Sequence, residues 1–498
     1  MSTPGARPAQ GLENPVRAEN RLAGTADWRL DRPAHAREIE GYASACSVNR
    51  GGRIQLFVNT AAPEFTLEVF RIGWYAGLGA RRVTGPRVLP GLRQTLPVMD
   101  PATGLVDCDW RVSCTLDTAD ADGSDDDDGE WLSGVYLARL TAADSGAQSY
   151  ILFVVRDDSR AAELLVQIPV TTYQAYNNWG GKSLYNWGSS EGERAAKVSF
   201  NRPYAANAQN PAAACGMGAG EFIANLQPHP DNYGPPNAGW DINMLRWLER
   251  EGLDVSYSSN LDTHAAPSSV QRHRGWLSIG HDEYWSGEMR DHVEAARDTG
   301  LNLGFFSANT AYWQVRFEAS PATGAAQRVM VCHKKARRDL KSGGDAARAH
   351  PTDKFRSAAV GRPEEQLIGV MYTADPVQGD IVVREPGHWV FAGCGLQAGD
   401  RLPGLLGYEV DCVHEPAASC ATLLAESPWT AMDDPARQGV SHMVVCTATS
   451  GATVFAAGTI QWAWGLDDYN VPALRTSRLN PAAQQITRNV LARLRTRA

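Results

Sequence analysis

The chain has 498 residues, of which 43% are hydrophobic and 21% are charged, and its formal net charge at pH 7 is −9. This composition is typical of a globular protein that is long enough for several domains. The acidic charge disfavours nucleic acid and anionic membranes as partners, because both attract basic surfaces. We therefore expect a small substrate, with no nucleic-acid and no membrane partner.

The N-terminus favours a cytoplasmic location, and the cysteine spacing excludes two kinds of site. Residues 1–20 show no basic segment followed by an apolar core, so no secretory signal is visible, and we expect a cytoplasmic location. The 9 cysteines include no C-x-x-C pair. This spacing excludes a zinc ribbon and a thioredoxin-type redox motif.

The N-terminal third of the chain predicts a β-rich domain. Residues 1–38 lack periodicity and are predicted to be a loosely ordered lead-in. Residues 39–158 contain short alternating runs, such as "RIQLFVNT", "FTLEVFRIGW", "GVYLARLTA" and "SYILFVVRD". Turn residues separate these runs, which indicates an antiparallel β-sandwich of immunoglobulin-like type. The acidic insertion "DTADADGSDDDDGEW" lacks the spacing of an EF-hand loop and is predicted to be a solvated surface loop.

Residues 159–498 predict an α/β domain, which makes the expected fold class β followed by α/β. Short apolar runs such as "ELLVQIPV", "GWLSIG" and "LNLGFF" alternate with segments of helical spacing such as "GWDINMLRWLEREG". This alternation indicates a doubly wound, parallel sheet. The basic stretch "CHKKARRDLKSGGDAARAH" is weakly periodic and is predicted to be a solvated excursion.

Polar residues follow the predicted strands where each strand ends. The first strand leads into "TTYQAYNNWGGKSLYNW", the third into "HDEYW" and the fourth into "SANTAYW". Ligands bind beyond the carboxyl ends of the strands in such sheets, so we expect these segments to form a site.

The residue types at these ends are compatible with a hard metal ion. Glu283 offers a carboxylate, and Tyr173, Tyr176 and Tyr204 offer phenolates, which favour a trivalent cation such as ferric iron. His281 lies two positions before Glu283 and would face the same side of a continuing strand. From the residues alone, packing roles for the tyrosines and a structural role for Glu283 stay open.

Other chemistries can be compared with the same residues. Zinc deaminases need H-x-E followed by P-C-x-x-C, and no such cysteine pair occurs here. No G-x-S-x-G elbow lies at a strand-to-helix turn. A carbohydrate-active hydrolase could pair Asp282 or Glu283 with Asp241, and the 15 tryptophans would suit sugar stacking. A non-enzymatic binding module with the same fold is the third hypothesis.

Several blocks in order carry a resemblance to a known family: "YQAYNNWGGKSLY", "VSFNRPY", "GWDINMLRWLEREGLDVSY", "SIGHDEYWS", "GFFSANTAYWQVRFE", "LIGVMY", "HWVFAGCGLQAGDRLPGLLGYEVD" and "QWAWGLD". Together they resemble the large, catalytic subunit of N,N-dimethylformamidase and its relatives. The resemblance extends from about Gly41 to the C-terminus, since "FRIGWYAGLGAR" is similar to the β-domain that precedes the catalytic domain in that family. It implies a catalytic domain of glutamine-amidotransferase or flavodoxin-like type.

The resemblance also implies a site. In the family, a mononuclear ferric iron is held by two tyrosines and one glutamate, which match Tyr204, Tyr176 and Glu283 here, with Tyr176 favoured over Tyr173. His281 and Asn309 match the family's catalytic histidine and asparagine.

The implied reaction is hydrolysis of a small amide. Iron would activate water, His281 would pass a proton to the departing amine, and Asn309 would orient the carbonyl. Family analogy further suggests a homo-oligomer and a small partner subunit. A relative acting on another carboxyl derivative would carry the same metal motif.

Overall fold

The computed structural model describes residues 14–119, 131–205, 211–225, 238–342, 344–414 and 421–496. Most of the predicted acidic loop falls at 120–130 and lies outside the described residues. Within the described ranges, no helix has the length and apolar character needed to cross a membrane.

The N-terminal part of the chain folds into two β-sheets. Its elements are α1 (Pro15–Glu19), β1 (Ile39–Ala43), β2 (Ser47–Asn49), β3 (Arg53–Thr60), β4 (Glu64–Ile72), β5 (Ala80–Pro90), β6 (Cys114–Asp117), β7 (Gly134–Ala142) and β8 (Gln148–Arg156). One sheet has the order β1-β3-β6 and the other β2-β8-β7-β4-β5. All pairs are antiparallel except β2 with β8.

One apolar core joins these two sheets. Along β3, Ile54, Leu56 and Val58 are buried at every second position, as expected for a strand with one face on a core. Leu67 and Leu140 from the other sheet belong to the same buried cluster. The predicted β-rich region is therefore present, with side-chain alternation as its cause.

The described part of the predicted lead-in, residues 14–38, is packed rather than loosely ordered. Val16 and Trp28 are fully buried, and the Trp28 indole donates a hydrogen bond to the backbone carbonyl of Leu78. Glu19 forms an ion pair with Arg81, with Nε and Oε1 2.7 Å apart. Individual buried side chains hold this segment against the sheets. Isolated contacts of this kind leave no periodic pattern in the sequence.

The remaining elements alternate between strands and helices. They are β9 (Leu164–Ile168), α2 (Val170–Tyr176), β10 (Lys197–Ser199), α3 (Asp241–Arg250), β11 (Val255–Ser259), α4 (Asn260–Ala265), α5 (Ser268–Gln271), β12 (Gly275–Gly280), β13 (Tyr284–Ser286), α6 (Gly287–Asp298), β14 (Asn302–Ser307), β15 (Trp313–Glu318), β16 (Val329–Val331), α7 (Ala336–Ser342), α8 (Gly344–Ala349), α9 (Glu365–Ile368), β17 (Met371–Val382), β18 (Arg401–Cys412), β19 (Thr422–Thr430), β20 (Gln438–Thr447), β21 (Thr453–Ala456) and α10 (Pro481–Leu494). Short 3-10 turns connect several of them.

A seven-stranded sheet is the centre of this part, with the order β11-β9-β12-β14-β21-β20-β19. Its first five strands are parallel, and β20 and β19 add antiparallel pairs. Strands β9, β12 and β14 are buried throughout, which explains their continuous apolar sequences. Two smaller sheets, β10-β16-β15-β13 and β17-β18, lie outside the central one. The mixed α/β class predicted from the sequence is confirmed.

A buried ion pair connects the N-terminal sheets with the α/β part. Arg71 on β4 donates two hydrogen bonds to Glu249 on α3, at 2.9 and 2.7 Å, and both side chains are fully buried. Tyr257 on β11 donates a third hydrogen bond to Glu249 at 3.2 Å. Removing one partner would leave the other charge buried and uncompensated, so this pair fixes the contact strongly.

Candidate active site

The polar segments predicted from the sequence meet at one edge of the central sheet. Strands β9, β12 and β14 are neighbours and parallel, so their carboxyl ends lie side by side. The chain leaves β9 into α2, which carries Tyr176, while β12 leads directly into His281 and Glu283. The turn after β14 is hydrogen-bonded to the segment that follows β12, because the backbone N–H of Tyr312 donates to the carbonyl of Glu283 at 2.9 Å.

Three oxygen atoms converge at the centre of this edge. The hydroxyls of Tyr176 and Tyr185 lie 2.8 Å apart, and they lie 2.8 and 2.9 Å from Oε2 of Glu283. The hydroxyl of Tyr284 donates to that of Tyr185 at 2.6 Å. The rings of Tyr176 and Tyr185 are stacked with centroids 4.4 Å apart, which fixes both hydroxyls toward the carboxylate.

Burial raises the pKa of every group in this cluster when no cation is near. Burial and the neighbouring Glu283 hold the pKa of Tyr176 and of Tyr185 well above the ordinary value for a phenol. Burial also raises the pKa of the Glu283 carboxyl, against a lowering effect from His281. A bound cation would lower the pKa of all three groups, since it stabilises their ionised forms.

His281 lies between carboxylates. Its Nε2 is 3.2 Å from Oε2 of Glu409 and 3.6 Å from Oε2 of Glu283, and its Nδ1 is 3.6 Å from Oε2 of Glu221. Burial acts to lower the pKa of His281, but Glu409 and Glu221 outweigh it, and the pKa lies well above the ordinary value. The carboxylates therefore favour the protonated form of the imidazole, whose Nε2 faces both Glu409 and Glu283.

Asn309 occupies a strained turn after β14. Its φ of 54° lies in the left-handed region that non-glycine residues seldom adopt. The backbone N–H of Asn309 donates to Oδ1 of Asp411 at 2.8 Å, and Asp411 is buried on β18. The side-chain Oδ1 of Asn309 makes no hydrogen bond within the described part of the chain. The turn is thus held in a costly conformation, and its side-chain oxygen has no partner among the described residues.

Lys334 adds a buried positive charge beside the cluster. Its Nζ lies 3.4 Å from the centroid of the Tyr185 ring and 4.8 Å from that of Trp313. Burial lowers the pKa of Lys334 to about 8, so the ammonium is charged at neutral pH. Lys334 belongs to the basic stretch predicted to be solvated, and that prediction fails at this residue, which is only 6% exposed.

Two of the predicted tyrosines lie elsewhere. The hydroxyl of Tyr173 donates to Oδ2 of Asp241 at 2.7 Å. Tyr204 packs edge-on against Tyr173, with centroids 6.3 Å apart, and borders a separate cavity. Among the described contacts, none joins Tyr204 to Glu283, whereas Tyr185 reaches that carboxylate directly.

The carboxylates of the carbohydrate-active alternative are engaged in other bonds. Asp282 accepts hydrogen bonds from Gln167 at 2.8 Å, Asn260 at 2.9 Å and Ser278 at 2.8 Å, and it is fully buried. Asp241 is bonded to Tyr173. Asp282 therefore stabilises the strand ends, and the pairing of Asp241 with Asp282 or Glu283 gains no support.

Sequence reasoning missed Tyr185, Glu409, Glu221 and Lys334. Tyr185 stands in the quoted segment "GGKSLYNW", so a third tyrosine after the first strand was the available signal. The backbone N–H of Leu184 donates to the carbonyl of Ala175 at 2.9 Å, and this bond folds the irregular segment back onto α2. No local pattern indicates that return.

The oxygen cluster fits a small, hard cation. Oxygens at adjacent corners of an octahedron with metal–oxygen distances of about 2.0 Å stand roughly 2.9 Å apart. The separations of 2.8, 2.8 and 2.9 Å between Tyr176, Tyr185 and Glu283 are those of hydrogen bonds, and they also leave the three oxygens spaced as such corners are. In the described ranges, no group of three or more His, Cys, Asp or Glu side chains is suited to a metal ion, so any site here depends on the phenols.

The fold and the site together define an α/β protein with a buried, oxygen-rich centre beside a histidine and an asparagine. Residues 66–475 match the family described as N,N-dimethylformamidase beta subunit-like, C-terminal, and the chain belongs to that family. The membership marks it as a dimethylformamidase-like hydrolase. None of the curated proteins compared with the chain matches it.

Proposed function

We propose that this protein hydrolyses a small amide with a mononuclear ferric iron held by Tyr176, Tyr185 and Glu283. The convergence of their three oxygens at 2.8–2.9 Å is the observation that carries the proposal. Two phenolates and one carboxylate match the charge and hardness of a trivalent ion. Tyr185 takes the place that the family resemblance gave to Tyr204, because Tyr185 is bonded to Glu283.

The chemistry divides between the metal and the chain. When bound, ferric iron would polarise the amide carbonyl and lower the pKa of a water molecule. His281 carries a proton toward Glu283 and is the general acid that delivers it to the departing amine. Glu409 and Glu221 hold that proton on the imidazole. Asn309 would use the Nδ2 donor of its side-chain amide to orient the carbonyl or to stabilise the oxyanion.

The burial of the site supports a small substrate. Tyr176, Glu283, His281 and Glu409 are each less than 5% exposed. A site that excludes water strengthens every electrostatic interaction inside it. We therefore propose a short-chain amide with small N-substituents.

The proposal also includes the folds of the two domains, the cellular location and the assembly. The two N-terminal sheets around a shared core support an immunoglobulin-like sandwich over residues 39–158. The parallel strands support a glutamine-amidotransferase or flavodoxin-like catalytic domain over residues 159–498. We further propose a cytoplasmic homo-oligomer, with a small partner subunit by family analogy.

The first experiment tests the metal ligands through colour and iron content. Purified wild-type protein is expected to contain about one iron per chain and to absorb visible light through a phenolate-to-iron band. Tyr185→Phe should lose the band and most of the iron, whereas the matched variant Tyr204→Phe should keep both. A colourless protein that cannot be loaded with iron would refute the mechanism. Loss of colour in Tyr204→Phe alone would restore Tyr204 as the ligand.

The second experiment tests the reaction by measuring amine release from formamide, N-methylformamide and N,N-dimethylformamide. Glu283→Ala should lose iron and activity together, since it removes a ligand. His281→Ala should keep iron and lose activity, because its proposed role is proton transfer. Full activity of iron-free Glu283→Ala would contradict the metal-dependent reaction.

A further inference from the structure

A single face of α2 contacts Glu283 at two points. The hydroxyl of Tyr176, the last residue of the helix, donates to Oε2 of the Glu283 carboxylate at 2.8 Å. One turn earlier, Oγ1 of Thr172 accepts a hydrogen bond from the backbone N–H of Glu283 at 2.9 Å. Residues four positions apart lie on the same side of a helix, so α2 holds both the backbone and the carboxylate of one residue.

Glu283 depends on such contacts because it lies outside the sheets, in the connection between β12 and β13. Its carbonyl accepts hydrogen bonds from the backbone N–H groups of Tyr312 and Trp313, at 2.9 and 3.0 Å. Its N–H donates to Thr172, and a buried N–H without an acceptor is costly. The Thr172 hydroxyl therefore fixes the peptide group next to which the Glu283 carboxylate projects.

The residues on either side of Glu283 are bound to the same end of α2. Oγ1 of Thr171 donates to the carbonyl of Tyr284 at 2.7 Å. The backbone N–H of Thr171 donates to Oδ1 of Asn260 at 3.2 Å, and Nδ2 of Asn260 donates to Oδ1 of Asp282 at 2.9 Å. These four side chains are fully buried. The start of α2 and the segment that carries Glu283 therefore form one buried, hydrogen-bonded unit.

The shape of the Thr172 side chain does not explain why this residue is a threonine. Valine is also branched at Cβ and would fill the same fully buried position without a hydroxyl that must be desolvated. The hydrogen bond from the Glu283 N–H offsets the cost of burying that hydroxyl. The polar atom of Thr172 is therefore explained by the bond to Glu283.

We propose that Thr172 is a positioning residue of the active site. It holds the backbone N–H of Glu283 from the helix that also carries Tyr176, and it thereby sets the spacing of these two ligand oxygens before a metal binds. The inference rests on the proposed function, since a metal site needs that spacing. Ligands that are already ordered bind a metal more tightly than ligands that must first be ordered, so loss of the Thr172 hydroxyl should weaken iron binding.

The test compares Thr172→Val with the conservative variant Thr172→Ser and the matched control Thr487→Val, each in the full chain. Thr487 on α10 is also fully buried, and its Oγ1 accepts a hydrogen bond from the indole N–H of Trp462 at 3.0 Å. Both valine variants therefore remove the hydroxyl acceptor of one buried N–H. Circular dichroism verifies that each variant is folded, and Thr172→Ala, which removes the same acceptor, replaces Thr172→Val if that variant does not fold.

The first measurement is residue-resolved hydrogen–deuterium exchange by mass spectrometry on metal-free protein. Exchange at the Glu283 amide should be about tenfold faster in Thr172→Val than in the wild type, and unchanged in Thr172→Ser and Thr487→Val. Unchanged exchange in Thr172→Val would overturn the proposal. A wild type that binds no iron would contradict the proposed function, whereas the exchange result would still decide whether Thr172 holds Glu283.

The second measurement follows iron release to a chelator through the visible band of iron-loaded protein. Thr172→Val should release iron about tenfold faster and shift the band, because the Glu283 carboxylate changes position. Thr172→Ser and Thr487→Val should behave as the wild type does. Faster exchange with an unchanged band and release rate would mean that Thr172 holds the backbone without positioning the ligand, which would refute its assigned role. Equal changes in the two valine variants would refute it as well.

Discussion

Replacing Lys334 by methionine tests whether Tyr185 is a metal ligand. The Lys334 ammonium stands 3.4 Å from the centroid of the Tyr185 ring, in a position that is 6% exposed. Methionine keeps the length and apolar stem of the side chain and removes its charge. Because the pKa of Lys334 is lowered to about 8, the wild-type side chain is charged at pH 7.

The size of the effect follows from the geometry. The ammonium contacts the Tyr185 ring and also acts on the Glu283 carboxylate, so the ring contact alone gives a minimum for the effect. A desolvated cation–π contact contributes about 2 kcal/mol, and more when the ring is ionised. Losing about 2 kcal/mol raises the free energy of the phenolate by the equivalent of about 1.5 pKa units. Iron binding that needs this phenolate would weaken by roughly 30-fold.

The assay is competition for iron with a chelator, followed through the visible band. Lys334→Met should release iron at lower chelator concentration and shift the band to longer wavelength, since the phenolate becomes a better electron donor. The control is Lys335→Met, which removes the same charge from the exposed neighbouring residue. Equal chelator curves and spectra for the two variants would refute the reasoning and remove Tyr185 from the ligand set.

Three further predictions concern the turn, the buried ion pair and acid stability. Asp411→Ala should lower the turnover rate by about 5- to 100-fold with iron retained, because the Asn309 turn loses its acceptor; Asp411→Asn should recover most activity. Arg71→Met should destabilise the protein by about 3–5 kcal/mol by isolating Glu249, and Arg71→Met with Glu249→Leu should recover much of this loss in denaturant titrations. Burial lowers the pKa of His273 to about 4, below its unfolded value of 6.5, so the unfolded state binds the extra proton between these values. Stability therefore falls as pH drops from 6.5 to 4, by about 3 kcal/mol from this residue, and His273→Gln should flatten the pH dependence of the unfolding midpoint.

The sequence predicts the strands and helices of this fold better than it predicts the tertiary contacts between them. Continuous apolar runs identify β9, β12 and β14, and the position of His281 and Glu283 at the end of β12 follows from where that run stops. His281 and Glu283 lie within three positions of a buried strand, so local patterning is sufficient to place them at its end. Tyr176 lies further along the segment after β9, and only the family resemblance favoured it over Tyr173.

The other site residues depend on long-range packing. Glu409 comes from β18, which pairs with β17 and lies outside the central sheet, so no spacing in the sequence connects it with His281. Tyr204 and Tyr185 lie in the same irregular region, and only tertiary contacts determine which of them reaches Glu283. The residues around Lys334 have the composition of a solvated basic segment. The Lys334 side chain is nevertheless buried, because it packs against the Tyr185 ring.

Burial of the two phenols connects the architecture with the choice of metal. Because burial and Glu283 hold the pKa of Tyr176 and Tyr185 high, both keep their protons until a cation compensates two new negative charges. A divalent ion gains less from each phenolate than a trivalent ion does, while the cost of removing the protons is the same. In the proposed site, burial of the stacked tyrosines would therefore favour a highly charged metal. The same burial would exclude bulky substrates, so metal preference and the preference for small amides would share one structural cause.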